Sequence, residues 1–500
     1  MSIEQESPRI EEGVQFALVE GRRSSQSAGK AILADAVRST DADVARGIER
    51  TSDWRKRYIE PFTQTVIAGA KNTKDALRIA VDGLDSLHEH LTFVRGDQES
   101  RLGDAFTKFT DPVFETETIH GTGSRERSLS VPYRGDVLEG DVLRRKLDEW
   151  TSAGVIEASA QEALVAVLDN PDWLDLSDQR FAMLGASSEM GPLGSLCAWG
   201  AEVLAVDLPR PHLWTHITRT ATAGAGKVHV PVRVGGEGDL TERAGADLIT
   251  HAPEAATWLK GFEGRFTLGN YVYADGTNFV RLAGGVDALI AHLLGSRTDI
   301  SVAYLATPTD VFAVTEDIVE GARAKAGRSL AATPLRILSG SRLYDRNYES
   351  LVSGENGRQW GISDSLVPIQ GPNYAMAKSL QRWRAVVSHH DGILTSANVA
   401  PASNTTSVTK NKMLAAVYRG APAFGIEIFD PAATRVLMTA LLVHDIRNPK
   451  AASNPDTTLD HPFDLFVQGA IHGGIWRLPY QPRSILPIGL IGGSLKRKKK

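Results

Sequence analysis

The chain has 500 residues, 42% hydrophobic and 23% charged, a balance that suits packed domains and excludes wholesale disorder. Its formal net charge of −5 supplies no global positive field, so no nucleic-acid partner is expected. A single cysteine, Cys197, excludes an intramolecular disulfide framework and a cysteine-rich zinc module.

The length calls for two or three packed units. Residues 1–13 are polar and acidic without the apolar centre of a signal peptide, and no stretch approaches the roughly 20 apolar residues of a spanning helix. Together with the lone cysteine, this predicts a cytoplasmic protein. Residues 1–130 read as an N-terminal helical region, with apolar residues at helical spacing over Ala28 to Arg50, Trp54 to Ala70 and Thr73 to Phe93. A polar, less regular link runs from Gly96 to Gly135. A helical connector occupies 131–178, with helices over 141–153 and 160–168, the second opened by the capping-box pattern Ser159-Ala-Gln-Glu162. No catalytic constellation falls in this half. Its expected roles are contact within a homo-oligomer or cover over a substrate cleft.

At Arg180 the pattern changes. Apolar runs of strand length alternate with helical stretches: 181–184, 202–206, 228–232, 247–250, 300–305 and 393–398. Such alternation predicts an α/β domain over 179–480, with a doubly wound, Rossmann-like parallel sheet added to the N-terminal helical region. The first of these strands runs into Gly185-Ala-Ser-Ser-Glu-Met-Gly191. A glycine turn between strand and helix lets backbone approach a pyrophosphate, so Gly185, Ser187, Ser188, Met190 and Gly191 form a candidate cradle. The next strand ends at Asp207, where a carboxylate can bond the ribose hydroxyls of NAD; Arg210 could instead pair with the 2′-phosphate of NADP.

Gly371-Pro-Asn-Tyr374-Ala-Met-Ala-Lys378 is the sharpest chemical signal. The spacing sets phenol and ammonium on one helical face, one turn apart. A phenol near pKa 10 is a poor acid–base group, and an adjacent ammonium would lower it toward the working range.

These motifs, in this order, resemble the short-chain dehydrogenase/reductase family. Its glycine motif G-x-x-x-G-x-G is matched at Gly185 and Gly191, with Glu189 at the middle glycine. The resemblance implies NAD or NADP as cofactor and a small-molecule carbonyl or alcohol substrate. It also implies that Tyr374 exchanges the carbonyl proton while Lys378 tunes it and binds the nicotinamide ribose. Asp239 and Leu240, after the third strand, stand where the family contacts the adenine ring. Ala252, in Asp247-Leu-Ile-Thr-His-Ala-Pro253, stands in the family's N-N-A-G stretch. Asn278 corresponds to the asparagine of the proton relay. Pro401 and Thr405 fall in the loop over the nicotinamide, where Ala402 replaces a glycine.

The family's catalytic hydroxyl ends the fifth strand, which points to Thr307 or Thr309 and demands an insertion over about 310–370. Ser339 and Ser341, or Ser363 and Ser365, are the alternatives. Phe466–Gly474 resembles the last strand of the family, with His472 replacing an aspartate. The extra cover implied by the insertion suggests a bulky or apolar substrate. A carboxylate at 189 repels a pyrophosphate unless it points away or meets a cation. Glu189, Pro253 and Ala402 therefore keep a second reading open: a non-catalytic binding or scaffold protein on the same fold.

Smaller signals read as structural. His389-His390-Asp391 lacks the distant ligands of a closed metal site, so no metal is expected. Cys197 sits among apolar neighbours as an inert thiol, and Trp199, Trp214 and Trp258 read as core. Residues 481–500 combine the apolar run Ile485–Gly493 with the cations Lys496–Lys500. They suggest either a weak peripheral membrane contact, at about 1 kcal/mol per cation, or a core segment with a solvated tail.

Overall fold

Seven strands build the central sheet of the computed structural model, which describes residues 11–326 and 332–497. In chain order they are β1 (Phe114–His120), β2 (Arg180–Leu184), β3 (Glu202–Val206), β4 (Lys227–Arg233), β5 (Phe266–Asn270), β6 (Ile300–Ala306) and β7 (Thr395–Val399). Their spatial order is β7-β6-β5-β2-β3-β4-β1. All pairings are parallel except that of β1, which runs antiparallel along β4. After β4 the chain crosses to the other side of β2, so strand order reverses between β2 and β5.

Strand alternation sends side chains into two separate cores. Phe181, Met183, Val203 and Ala205 point to one face, Ala182, Leu184, Leu204 and Val206 to the other. With both faces covered, the parallel strands can be apolar throughout, and their sequences are. The covering helices include α1 (Thr73–His90), α2 (Leu193–Ala198), α3 (Pro211–Ala223), α4 (Thr277–Ser296), α5 (Pro372–His390), α6 (Lys412–Gly420), α7 (Pro431–Arg447) and α8 (Pro482–Arg497). Among the described residues, α4 alone is long and apolar enough to cross a membrane, and most of it is buried inside the protein.

The N-terminal helices share a core with the sheet domain. α1 lies against α5 so closely that a Cβ at Gly83 would collide with the Trp383 ring. Buried Asp287 of α4 joins the elements electrostatically: it accepts from Arg384 Nε at 2.7 Å and Nη2 at 2.8 Å, and meets His88 Nε2 of α1 at 2.8 Å.

Several expected elements are replaced. Residues 247–250 form a turn, because Asp247 turns its carboxylate back to the Ile249 amide (2.9 Å) and its carbonyl accepts from Thr250 and His251. The fourth parallel strand is β5 instead. The polar link contains β1 and one strand, Gln98–Arg101, of a small antiparallel sheet whose other strands are Gly13–Phe16 and Leu91–Arg95. The helix expected from 160 begins at Ala158 with Glu157 as its N-cap, so the box at Ser159 does not form; Ser159 Oγ accepts from the Gly469 amide.

The insertion between β6 and α5 folds as a three-stranded antiparallel sheet, ordered Val311–Val314, Gln359–Asp364, Val352–Ser353. Ser339 and Ser341 follow a short helix, Ala332–Leu338, rather than a strand. The expected last strand is a helical turn, Asp464–Val467, then a loop that touches β7 through Ile471 N and Val399 O at 2.9 Å. The apolar run 485–493 lies in α8. There the backbone of Gly489 and Gly493 meets Gly420 and Ala416 of α6, leaving no room for a Cβ at Gly420 or Gly493. The side chains of Lys496–Lys500 lie outside the described residues, and with them the expected membrane contact.

Candidate functional site

At the carboxyl ends of the parallel strands, where strand order reverses, lies a cavity of about 1270 Å³. That exceeds the roughly 300–1,000 Å³ of ordinary small-molecule pockets. The glycine turn after β2 forms one wall. Gly185 has φ +84°, and any Cβ there would press on the Tyr271 carbonyl, so glycine is required. Ser187, Ser188, Glu189 and Met190 line the cavity, whereas Gly191 tucks behind the turn, its amide donating to Ser188 O at 2.9 Å. The helix after the turn, α2, has only six residues.

Asp207 ends β3, 8% exposed, with its carboxylate on the turn itself. It accepts from the Ser187 amide at 2.6 Å and from Leu208 N at 2.7 Å. Glu189 reaches across the mouth: its Oε2 accepts from the Thr406 amide at 2.8 Å, at the start of the helix Thr406–Lys410. Its backbone carbonyl accepts from Arg435 Nη1 of α7 at 3.1 Å. The carboxylate thereby ties the glycine turn to the loop that carries Pro401 and Thr405, both of which line the cavity.

Opposite the turn stands the start of α5. Gly371, at φ +80°, caps it, Pro372 occupies its first position, and Tyr374 and Lys378 both reach the cavity. Tyr58 of the N-terminal region fixes this corner. Its hydroxyl accepts from the Gly371 amide at 3.2 Å and donates to Val367 O at 3.0 Å. Thr307, just after β6, lies 67 residues before Tyr374 in sequence, yet both line the cavity because the insertion loops out and returns. Thr307 and Thr309 hydroxyls are 3.0 Å apart, and Gln370 Nε2 donates to Thr309 Oγ1 at 3.1 Å.

Burial pushes the Tyr374 phenol up to about 12, while hydrogen bonds from Thr307, Thr309 and Gln370 oppose the rise. Burial lowers Lys378 to about 8, with Asp310 holding it up and Arg382 pressing it down. The expected lowering of the phenol by its lysine is therefore not the arrangement found. Lys378 Nζ donates to Gln381 Oε1 at 3.0 Å, and the groups that shift its pKa are Asp310 and Arg382.

Besides Gly191, five expected site residues lie outside the lining. Arg210 is exposed at the N-cap of α3. Asp239 caps the short helix Leu240–Arg243, accepting from the Thr241 amide at 2.8 Å, and Leu240 belongs to that helix. Ala252 is buried at the start of the helix Ala252–Lys260. Asn278 turns to Arg281, accepting from its Nη1 at 3.0 Å, while its neighbour Phe279 faces the cavity.

Contributors not anticipated are Asn270 and the 271–276 loop after β5, Gln370 of the insertion, and Trp54 and Arg55 of the N-terminal region; Ser365, an alternative for the catalytic hydroxyl, also lines the cavity. Asn270 was legible only through the correct fourth strand.

The remaining polar signals are structural. Cys197 is buried and its thiol is pushed up to about 12 by burial. Among the described residues no cluster of His, Cys, Asp and Glu could hold a metal. His472 lies buried against Trp476, accepting from the Gly474 amide at 3.0 Å while its Nε2 donates to Glu157 at 2.7 Å. No protein-family model matches this sequence, and no curated protein matches it.

Proposed function

We propose that the chain is an NAD(P)-dependent oxidoreductase acting on a carbonyl or alcohol, built on a doubly wound, Rossmann-like sheet of short-chain dehydrogenase/reductase type. One observation carries this reading: Tyr374, Lys378 and Thr307 share a cavity with the glycine turn, at the strand-order reversal. In open α/β sheets that crevice, outside the carboxyl ends of the strands, is where ligands bind.

The residues present fit a dinucleotide in part. Gly185 admits close approach of a diphosphate, and buried Asp207 lies beside the turn where a ribose would sit. Glu189 is held away from the turn by Thr406 N, which meets the requirement that its charge be directed elsewhere. A bound nicotinamide would supply or accept the hydride at the substrate carbon. Tyr374, protonated at neutral pH, is suited to give its phenolic proton to the carbonyl oxygen as the alcohol forms. Thr307 and Thr309 then stabilise the phenolate left behind.

Titration with NADH and NADPH, followed by nicotinamide fluorescence, tests the reading. Saturable binding that Gly185→Val abolishes is expected; no binding of either at millimolar concentration would refute it. Glu189→Gln removes a negative charge near the diphosphate while keeping an acceptor for Thr406 N. Dinucleotide affinity is expected to rise about fivefold, the equivalent of about 1 kcal/mol, and an unchanged Kd would show that the carboxylate is already neutralised by its partners.

A further inference from the structure

The charged groups of the cavity are confined to one part of its lining. Arg55, Glu189, Asp207, Asp275, Lys378 and Lys410 all precede residue 411. The lining contributed after residue 411 carries no charge at all. It comes from α6, the loop that follows it, the 475–478 turn and the start of α8, and its faces are Leu414, Val417, Ile426, Ile428, Ile485 and Leu486. Close backbone contact of Gly420 with Gly489, and of Ala416 with Gly493, clamps α6 to α8, so this wall is a fixed surface of the fold. Tyr418 of α6 lines the same cavity as Tyr374, whose phenol adds to the cost of ionising Tyr418. The uncharged wall therefore begins beside the proton donor.

We propose that this chamber holds the substrate, and that the substrate is an extended, uncharged, apolar ketone or its secondary alcohol. This rests on the oxidoreductase reading and adds the substrate class to it. A fixed carboxylate or phosphate on the substrate would lose its hydration against Val417, Ile426 and Ile485 with no cation in that wall to repay it. An alkyl chain loses nothing there, and each buried methylene adds about 0.8 kcal/mol, a factor of about four in affinity. A bound reduced nicotinamide would supply the hydride at the carbonyl carbon, and Tyr374 would give its phenolic proton to the carbonyl oxygen as the C=O π pair moves there. The alcohol and oxidised nicotinamide leave, and solvent returns a proton to the phenolate.

The test is calorimetric binding of methyl ketones from butan-2-one to dodecan-2-one to the full chain without nucleotide, followed by their turnover with NADPH and NADH. Affinity is expected to rise two- to fourfold per methylene through at least decan-2-one, with the carboxylate of equal length at least tenfold weaker. Val417→Thr, nearly isosteric, is expected to weaken decan-2-one several-fold with Tm preserved; Leu486→Gln serves as an independent second variant. Affinity flat in chain length, or preference for the carboxylate, overturns the substrate class. Turnover confined to short polar carbonyls also overturns it while leaving the oxidoreductase reading intact. Ketone binding that rises with chain length, without nicotinamide binding, supports the apolar chamber and overturns the oxidoreductase reading alone.

Discussion

Replacing Tyr374 with phenylalanine is expected to lower kcat for ketone reduction by about a hundredfold to ten-thousandfold, the usual span for losing a positioned acid–base group. Dinucleotide binding and Tm should stay close to those of the parent, because the ring and its contact with Phe279, at a centroid distance of 5.9 Å, are kept. The loss should fall on kcat and kcat/KM together, the pattern of an interaction made in the transition state. Two neighbours sharpen the expectation. Thr307→Val removes a hydroxyl that eases phenolate formation, so it should cost less than Tyr374→Phe and raise the apparent pKa of the acid. Lys378, lowered to about 8 by burial, should lose its charge as pH rises through that value, giving an alkaline limb in kcat/KM that Lys378→Arg removes. Full turnover in Tyr374→Phe would sink the catalytic assignment.

Asp287→Asn is expected to destabilise the fold by about 3–5 kcal/mol, because it leaves the buried guanidinium of Arg384 without its counter-charge. Asp287 is 4% exposed and sits where α4, α5 and α1 meet. Burial alone would raise its carboxyl, yet Arg384 and His88 hold it well below the usual carboxylate range. The sign follows from that depression. The carboxylate contributes its stabilisation in full above its unfolded value, near pH 4, and loses it as pH falls toward the lower folded value.

Glu157 behaves alike: burial pushes it up, but His472 and Arg477 bring it down to about 2, so its contribution is complete above about pH 4.5 and lost toward pH 2. Urea denaturation at pH 7 and pH 3 checks this. The gap between parent and Asp287→Asn should narrow at pH 3, and an equal gap at both pH values would contradict the ion-pair account.

Much of the sheet was legible because its strands are fully buried and therefore written as short apolar runs. Arg180–Leu184, Glu202–Val206 and Ile300–Ala306 fall where those runs predict. β5 was not legible, since Phe-Thr-Leu-Gly-Asn carries few β-branched residues and a glycine, while Asp-Leu-Ile-Thr nearby looks more strand-like. The glycine is there for packing: a Cβ at Gly269 would collide with the Tyr271 ring. Strand β1 was hidden because an edge strand with Glu115, Thr116, Glu117 and Thr118 has too little apolar alternation to stand out from a polar link.

The candidate site divides the same way. Tyr374, Lys378 and the glycine turn announced themselves through local spacing. Trp54, Gln370 and Ile485 could not, because tertiary return of distant segments brings them to the cavity. Asp239 looked like a ligand and is a helix cap, a role its side chain plays equally well.

The central claim is that the cavity at the strand-order reversal is a dinucleotide site with Tyr374 at its reactive end. A crystal structure of the chain soaked with NADP or NAD tests it most directly. The account predicts a diphosphate against residues 185–190, a ribose at Asp207 and a nicotinamide ring between Thr405 and Tyr374. A nucleotide bound elsewhere, or no nucleotide in the cavity at saturating concentration, would contradict it.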